Sequence, residues 1–229
     1  MLQAILVLLL SYLIGAIPFG LVMVRLFRGI DLREVGSGNI GATNAMRVLG
    51  KPLGLVAFLL DFGKGWIATF VLAGFAVALD SAQPGLAAAL CGIAAVLGHC
   101  FPIYLGFKGG KGVATGCGAI VGVDYFVFLI SGLVWLAALG MLRFVSVASL
   151  AMGAAFPLVA MFRNGVSKAH SDESFPSGVN GLDPSSTSGG WPFAVACALL
   201  TVLIVVRHRP NIVRLRAGTE PKIGRTKTT

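Results

Sequence analysis

Long apolar runs separated by short cationic stretches are the feature that most constrains the fold of this chain. Of its 18 Lys and Arg residues, 15 fall in four short stretches between or after apolar runs. Charged side chains are costly in hydrocarbon, so such stretches lie at a membrane surface and orient the chain. We therefore predict an all-α polytopic membrane protein, and we expect its cationic face to bind anions.

The composition supports a membrane protein and argues against soluble classes. Of the 229 residues, 56% are hydrophobic and 12% are charged, and the mean hydropathy is +0.88. A soluble domain of this size could not bury so much apolar surface. The net charge of +9 does not indicate nucleic-acid binding, because the cations lie between apolar spans rather than along an amphipathic helix. We expect a single transmembrane domain over residues 1–229, with no metal site among its four dispersed cysteines.

Seven apolar segments are candidates for membrane-spanning helices. A span needs about 20 residues at a rise of about 1.5 Å per residue. The segment 112–123 is the weak candidate, because it rises only about 18 Å, so five or six crossings remain possible. The candidates are 2–27, 52–79, 85–105, 112–123, 124–142, 144–162 and 191–207.

The distribution of Lys and Arg predicts the orientation. With seven crossings, the four cationic stretches fall on one side, and the other side holds only Arg163 and Lys168. Cytoplasmic loops carry the excess of Lys and Arg, so the N-terminus is expected outside and the C-terminus in the cytoplasm. The polar stretch 163–190 is then an external loop, and 208–229 is a cytoplasmic basic tail.

The first cytoplasmic stretch, 36–47, is rich in glycine and polar residues. It formally contains GxGxxG, but no strand precedes it, so a dinucleotide site is disfavoured. Glycines let backbone N–H groups approach an anion, and an arginine can bind a phosphate bidentately. The alternative is a polar turn that faces water. The candidate binding residues are Ser37, Gly38, Asn39, Gly41, Thr43, Asn44 and Arg47.

The second stretch, 98–115, places two lysines among glycines directly before an apolar segment. It does not fit a Walker P-loop, because three residues separate Gly106 from Gly110 and a glycine follows Lys111. Backbone amides at the start of a helix favour anions, although a plain stop-transfer loop is the alternative. His99 is expected to pack or to form a hydrogen bond rather than to catalyse. The candidates are Lys108, Gly109, Gly110, Lys111 and Gly112.

The basic tail and a short turn at Arg143 complete the cytoplasmic set. The tail could be an ordinary polybasic segment attracted to anionic headgroups. His208 and Asn211 favour a site instead, since they add neutral polar groups where the last span meets water, one of which titrates near neutrality. The candidates here are Ser146, His208, Asn211, Arg214 and Glu220.

Three sequence motifs resemble those of the acyl-phosphate:glycerol-3-phosphate acyltransferases, which are integral membrane enzymes of bacteria. They are SGNxGATNxxR at 37–47, GHxFPxxxGFKGGKGVAT at 98–115 and HxxNIxRLxxGxE at 208–220. Asp61 and Lys64 are similar to the family's DxxKG, and the resemblance covers almost the whole chain. The departures are Ile40, Arg216 and the long polar stretch 163–190, none of which removes a polar group from the expected site.

This resemblance implies a reaction and a location. A fatty acyl group would pass from acyl phosphate to the 1-hydroxyl of glycerol 3-phosphate, which gives lysophosphatidic acid and phosphate. The resemblance implies no cofactor and no nucleic-acid partner, contact with membrane lipid, and a place in the bacterial cytoplasmic (inner) membrane. The oligomeric state is left open.

The same resemblance implies roles for individual residues. Arg47, Lys108 and Ser146 would hold glycerol 3-phosphate, and Lys111 would be a second anion ligand. The catalytic residues, which would contact the acyl phosphate and the developing oxyanion, are Ser37, His208 and Asn211.

The cytoplasmic side shows no pattern typical of covalent catalysis. No Ser-His-Asp or Cys-His arrangement and no HxxxxD motif is found there, so we expect direct transfer without an acyl-enzyme. The proton of the attacking hydroxyl would pass to a phosphate oxygen, with His208 as the weaker option.

Two other functions use the same features. A transporter or channel for a phosphorylated solute would need cationic loops, and proline breaks could serve as gates. The gathering of cations at one face and the lack of a visible inverted repeat count against it. A scaffold that binds anionic lipid through its tail is the third option.

Overall fold

The structure, a computed structural model, describes residues 2–75, 83–171 and 190–224. Every regular element in these ranges is helical. Short 3₁₀ turns lie at Leu32–Glu34 and Ile103–Leu105, and a π-helical segment, Ile67–Leu72, continues α4. The α-helices are α1 (Leu2–Ala16), α2 (Phe19–Arg28), α3 (Ala42–Leu49), α4 (Lys51–Trp66), α5 (Pro84–Cys100), α6 (Val113–Val121), α7 (Tyr125–Leu142), α8 (Val145–Ser171), α9 (Gly190–Arg207) and α10 (Arg209–Arg216).

Within the described ranges, six helical stretches are long and apolar enough to cross a membrane. This confirms the predicted all-α membrane architecture. The remaining candidate, segment 112–123, contains α6, whose nine residues rise only about 14 Å. The count of seven crossings and the outward N-terminus therefore stay predictions. The six stretches are Leu2–Arg28, Lys51–Phe75, Pro84–Leu105, Tyr125–Leu142, Val145–Gly165 and Gly190–Arg207.

The first span is broken at Ile17 and Pro18, between α1 and α2. Proline lacks an N–H and restricts the residue before it, so the helical hydrogen-bond ladder is interrupted there. The Ile17 carbonyl accepts a hydrogen bond from Lys64 Nζ at 2.8 Å. Lys64 also lies 2.8 Å from Asp61 Oδ1 and 2.9 Å from His99 Nδ1. The Asp61–Lys64 pair therefore joins α1, α4 and α5 inside the bundle.

Small residues allow close contact between helix backbones. α1 packs on α5 and α4 packs on α6. A Cβ atom at Gly98 would overlap the Tyr12 carbonyl oxygen, and one at Gly118 would overlap that of Phe62. Lipid removes the hydrophobic advantage of burying apolar side chains between helices, so close backbone packing supplies much of the attraction instead.

The structure corrects the predicted start of the external loop. The loop was predicted to begin at residue 163, but α8 continues to Ser171, and residues 172–189 lie outside the described part of the chain. Arg163 Nε lies 3.1 Å from Asp124 Oδ2, and the Asp124 carboxylate also caps the start of α7. A change from apolar to polar sequence ends the membrane span but does not by itself end the helix.

Replacing Gly98 with alanine tests the close packing of α1 on α5. The added methyl group would collide with the backbone at Tyr12 and would lie 2.8 Å from Ala16 N. We expect a loss of about 1–3 kcal/mol in stability, measured as a lower melting temperature in detergent. Gly132→Ala on α7 is the control, because nothing lies within 4 Å of a Cβ there. Equal melting temperatures for the two variants would contradict the predicted packing.

Candidate active site

The glycine-rich segment after α5 contacts the end of α9. Arg207, the last residue of α9, donates from Nε to the Gly110 carbonyl at 2.9 Å and from Nη2 to the Gly109 carbonyl at 2.6 Å. Its guanidinium also lies 5.3 Å from the centre of the Phe101 ring. Two segments nearly a hundred residues apart are thus fixed to each other.

The Lys111 ammonium is influenced by charges from several segments of the chain. It is partly buried, and its electrostatic neighbours come from the first loop and the tail. Burial is the largest cause that lowers the pKa of Lys111, to about 8; the arginines lower it further, and Glu220 opposes them. Because these surroundings disfavour the charged form of the lysine, an anion that binds beside it stabilises that charge. Its charged neighbours are Arg47, Arg207, Arg214 and Glu220.

The short cationic turn at Arg143 lies at the same end of the bundle. Ile223 N donates to the Arg143 carbonyl at 2.9 Å, so the tail crosses the turn between α7 and α8. Lys222 Nζ lies 5.0 Å from the centre of the Phe144 ring beside it. The structure therefore brings together all four stretches that the sequence separates.

The buried side chain of Asn44 holds together the first cationic stretch, residues 36–47, called the first loop. Its Nδ2 lies 3.2 Å from the Leu32 carbonyl and 3.0 Å from those of Val35 and Asn39, and its Oδ1 accepts from Ser37 N at 3.0 Å. Asn44 is 1% exposed. It was predicted to bind substrate, but its polar atoms are engaged by its own loop, so its observed role is to hold the backbone that presents Ser37.

The rest of the first loop is more accessible. Gly36 and Gly38 have φ values of 62° and 68°, in the left-handed region that favours glycine. Asn39 Oδ1 accepts from Gly41 N at 2.9 Å. The side chains or backbones exposed to solvent are those of Ser37, Gly38, Thr43 and Arg47.

The glycine-rich segment is buried where it meets His99. Gly110 N donates to the His99 carbonyl at 3.0 Å, and a Cβ atom at Gly110 would overlap His99 Nε2. Lys108 is exposed, whereas Gly112, with φ of 78°, is buried and precedes α6. His99 therefore packs and forms hydrogen bonds, as predicted from its place on an apolar helix.

His208 is buried at the junction of α9 and α10. It is 2% exposed, and its Nδ1 lies 2.8 Å from the Ile204 carbonyl, which can only accept, so Nδ1 carries the proton. Burial first and Lys111 second lower the pKa of His208 to about 4, against the opposing effects of Ile204 and Glu220. At pH 7 the ring is neutral and Nε2 is an acceptor. In this state Nε2 accepts a hydrogen bond rather than donating one, and the contact of His208 with substrate stays a prediction.

Glu220 ties the end of the tail to α10. Asn211 Nδ2 donates to Glu220 Oε1 at 2.6 Å, and Arg214 Nε donates to Oε2 at 2.7 Å. Burial would raise the pKa of Glu220, but Asn211, Ser146 and Arg214 together lower it below its usual value. Ser146 is 3% exposed. Glu220 and Arg214 were predicted to bind substrate, and the structure pairs them with each other.

The described part of the chain contains no group of three or more His, Cys, Asp or Glu side chains placed to hold a metal ion.

Comparison with known proteins identifies the family. A family model described as glycerol-3-phosphate acyltransferase matches residues 5–218. The chain belongs to the glycerol-3-phosphate acyltransferase family. It is 44% identical over 218 residues to the glycerol-3-phosphate acyltransferase of a Jannaschia species, covering 95% of this chain and 92% of that protein. The glycerol-3-phosphate acyltransferase of Zymomonas mobilis is 37% identical over 228 residues, which cover 96% of each chain.

Solved structures of this family share the fold. One is a crystal structure of PlsY (YgiH), an integral membrane glycerol 3-phosphate acyltransferase, in its glycerol 3-phosphate form. It superposes with a TM-score of 0.78 at 37% identity, over 96% of each chain. The lysophosphatidic acid form gives a TM-score of 0.76 at 36% identity, over 96% of this chain and 95% of that one. This family is the one that the three sequence motifs indicated.

The contacts of Arg207 with the glycine-rich segment were not predicted from the sequence. Arg207 was counted only as one of the charges that set the orientation, because an arginine at the end of an apolar span is typical of a stop signal. The available signal was its position directly before His208, at the start of a motif.

Replacing Asn44 with aspartate tests its role in the first loop. A carboxylate would face the carbonyls of Leu32, Val35 and Asn39 without a donor, which costs about 1–3 kcal/mol. We expect a lower melting temperature and a loss of most acyltransferase activity. Glu34→Gln, an equally small acid–amide exchange at an exposed position of the same loop, should change neither. A fully active, stable Asn44→Asp variant would contradict this role.

Proposed function

We propose that this chain transfers a fatty acyl group from acyl phosphate to the 1-hydroxyl of glycerol 3-phosphate. The observation that carries the proposal is the position of Lys111, partly buried among arginines from the first loop and the tail. Two phosphate-bearing substrates require several cations at one place, and the acyl donor requires access from lipid. The site would face the cytoplasm at the bacterial inner membrane.

The proposed substrate contacts follow from exposure and charge. Arg47 and Lys108 are exposed cations and would bind the phosphate of glycerol 3-phosphate, together with the buried Ser146. Ser37 and the glycines beside it would donate to the acyl phosphate. Their role in the pocket is supported by the loop that Asn44 orders around Ser37 N.

The proposed reaction is a direct displacement. The 1-hydroxyl oxygen attacks the carbonyl carbon of the acyl phosphate and forms the new ester bond. The bond from that carbon to the phosphate oxygen breaks, and inorganic phosphate leaves with the hydroxyl proton. Positioning and stabilisation of the oxyanion by cations and N–H groups would supply most of the acceleration.

The pKa of His208 supports the phosphate as the proton acceptor. At about 4, that pKa lies below the second pKa of a phosphate ester, which is about 6. A phosphate oxygen is therefore the stronger base at neutral pH. His208 Nε2 and the buried Asn211 Oδ1, which has no hydrogen-bond partner within the described residues, are acceptors suited to orienting the hydroxyl.

The donor is tested with purified protein and radiolabelled glycerol 3-phosphate. We expect a chloroform-extractable labelled product with palmitoyl phosphate and none with palmitoyl-CoA. Product from the CoA ester alone would overturn the proposed donor. A protein that makes no product with either, yet moves labelled glycerol 3-phosphate across vesicles, would support a transporter instead.

Removing the proposed phosphate contacts should reduce the rate strongly. Arg47→Ala, Lys108→Ala and Ser37→Ala should each lower kcat/KM by about tenfold or more, since each removes a donor to a charged group. Arg28→Ala, at the exposed end of α2, is the control and should keep the wild-type rate. Equal losses in all four variants, at unchanged melting temperature, would refute the assignment.

The pKa of Lys111 predicts how the rate depends on pH. Because that pKa is about 8, the ammonium is charged below pH 8 and loses its charge above it. If the charge binds phosphate, kcat/KM for glycerol 3-phosphate falls about tenfold between pH 7 and pH 9, after subtraction of spontaneous donor hydrolysis. Lys111→Arg stays charged throughout and should flatten the profile. The same decline in both proteins would exclude Lys111 as its cause.

A further inference from the structure

The guanidinium of Arg207 forms hydrogen bonds with the protein backbone. Its Nε and Nη2 donate to the consecutive carbonyls of Gly110 and Gly109, at 2.9 and 2.6 Å. The face of the group lies over the Phe101 ring at 5.3 Å. Two of its five N–H donors are therefore engaged by carbonyl oxygens of the glycine-rich segment.

These two bonds fix the direction of the adjacent amides. In a trans peptide the carbonyl and the following N–H point in opposite directions. Binding of the Gly110 carbonyl by Arg207 therefore turns the N–H of Lys111 to the opposite side. The N–H of Gly110, which follows the Gly109 carbonyl, donates to the His99 carbonyl at 3.0 Å.

The opposite side of the segment is fixed by α5. The His99 ring lies against Gly110 so closely that a Cβ atom there would overlap Nε2. The ring is itself held by Lys64 at 2.9 Å from Nδ1. The backbone at Gly109 and Gly110 is thus held between His99 and Arg207.

We infer that Arg207 is a positioning residue that holds the Gly109–Lys111 backbone in the conformation that binds a phosphate. This inference rests on the proposed function and adds a residue that acts through the glycine-rich segment. The requirement is geometric, because two adjacent carbonyls need two parallel donors, which a guanidinium has and an ammonium lacks.

The decisive comparison keeps the charge and removes the forked geometry. Arg207→Lys should lower kcat/KM at least tenfold and raise the inhibition constant of inorganic phosphate by a similar factor, with the melting temperature within a few degrees of wild type. Arg209→Lys, two residues away and exposed, is the matched control and should change neither. Inorganic phosphate reports the anion site independently of turnover.

Each outcome bears on the inference. If Arg207 served only as a positive charge, Arg207→Lys would retain wild-type kcat/KM and phosphate inhibition, which overturns it. A lower rate with unchanged phosphate inhibition also overturns it, because the anion site would then be intact. Wild-type protein that makes no product from acyl phosphate would refute the proposed donor, whereas an active wild type with an equally active Arg207→Lys would refute this inference alone.

A second variant covers the case in which Arg207→Lys is unstable. Arg207→Ala is assayed with and without added methylguanidinium, which can occupy the vacated space and donate to both carbonyls. Recovery of activity and of phosphate inhibition by methylguanidinium, but not by methylammonium, supports the inference. Equal effects of the two cations, or recovery by neither, contradict it.

Discussion

The burial of one charged pair inside the helical bundle determines how the end of the bundle that carries the glycine-rich segment is held. Asp61 and Lys64 are 1% and 2% exposed and lie 2.8 Å apart. An uncompensated charge at this depth would cost several kcal/mol, so the pair must keep its partners. Lys64 also contacts the Ile17 carbonyl and His99, which ties the break in the first span to α4 and α5. The glycine-rich segment, anchored on His99, takes its position from this point.

The charges at this end of the bundle divide into two groups. Arg207 and Arg214 are committed to acceptors of the protein itself, a pair of carbonyls and the Glu220 carboxylate. Lys111, in contrast, is partly buried, and burial together with the neighbouring arginines lowers its pKa to about 8 against the opposing effect of Glu220. The first group builds the site, and the second is left with a charge that a phosphate would neutralise. The chain has few carboxylates, so few acidic side chains are available to pair with these cations.

The sequence predicts the spans well and the contacts within the site poorly. The predicted segments 124–142 and 191–207 differ by one residue at one end from α7 and α9, since the bilayer selects directly for the length of an apolar run. The bonds made by Asn44 and Arg207 were not predicted, because they depend on which carbonyls a folded loop turns toward a side chain. The motifs still predicted that the glycine-bearing cationic stretches lie together, since glycines and cations both favour the binding of anions.

The nine residues of α6 make it too short to cross a bilayer. A helix rising about 14 Å covers less than half of a hydrocarbon layer about 30 Å thick. At its far end Asp124 is 1% exposed and paired with Arg163, so polarity there is enclosed by protein. Gly112, which precedes its near end, is buried as well, so both ends of α6 are enclosed by protein. Under the proposed function, the lipid-soluble donor and the water-soluble acceptor would meet beside a helix that stops short of the full bilayer thickness.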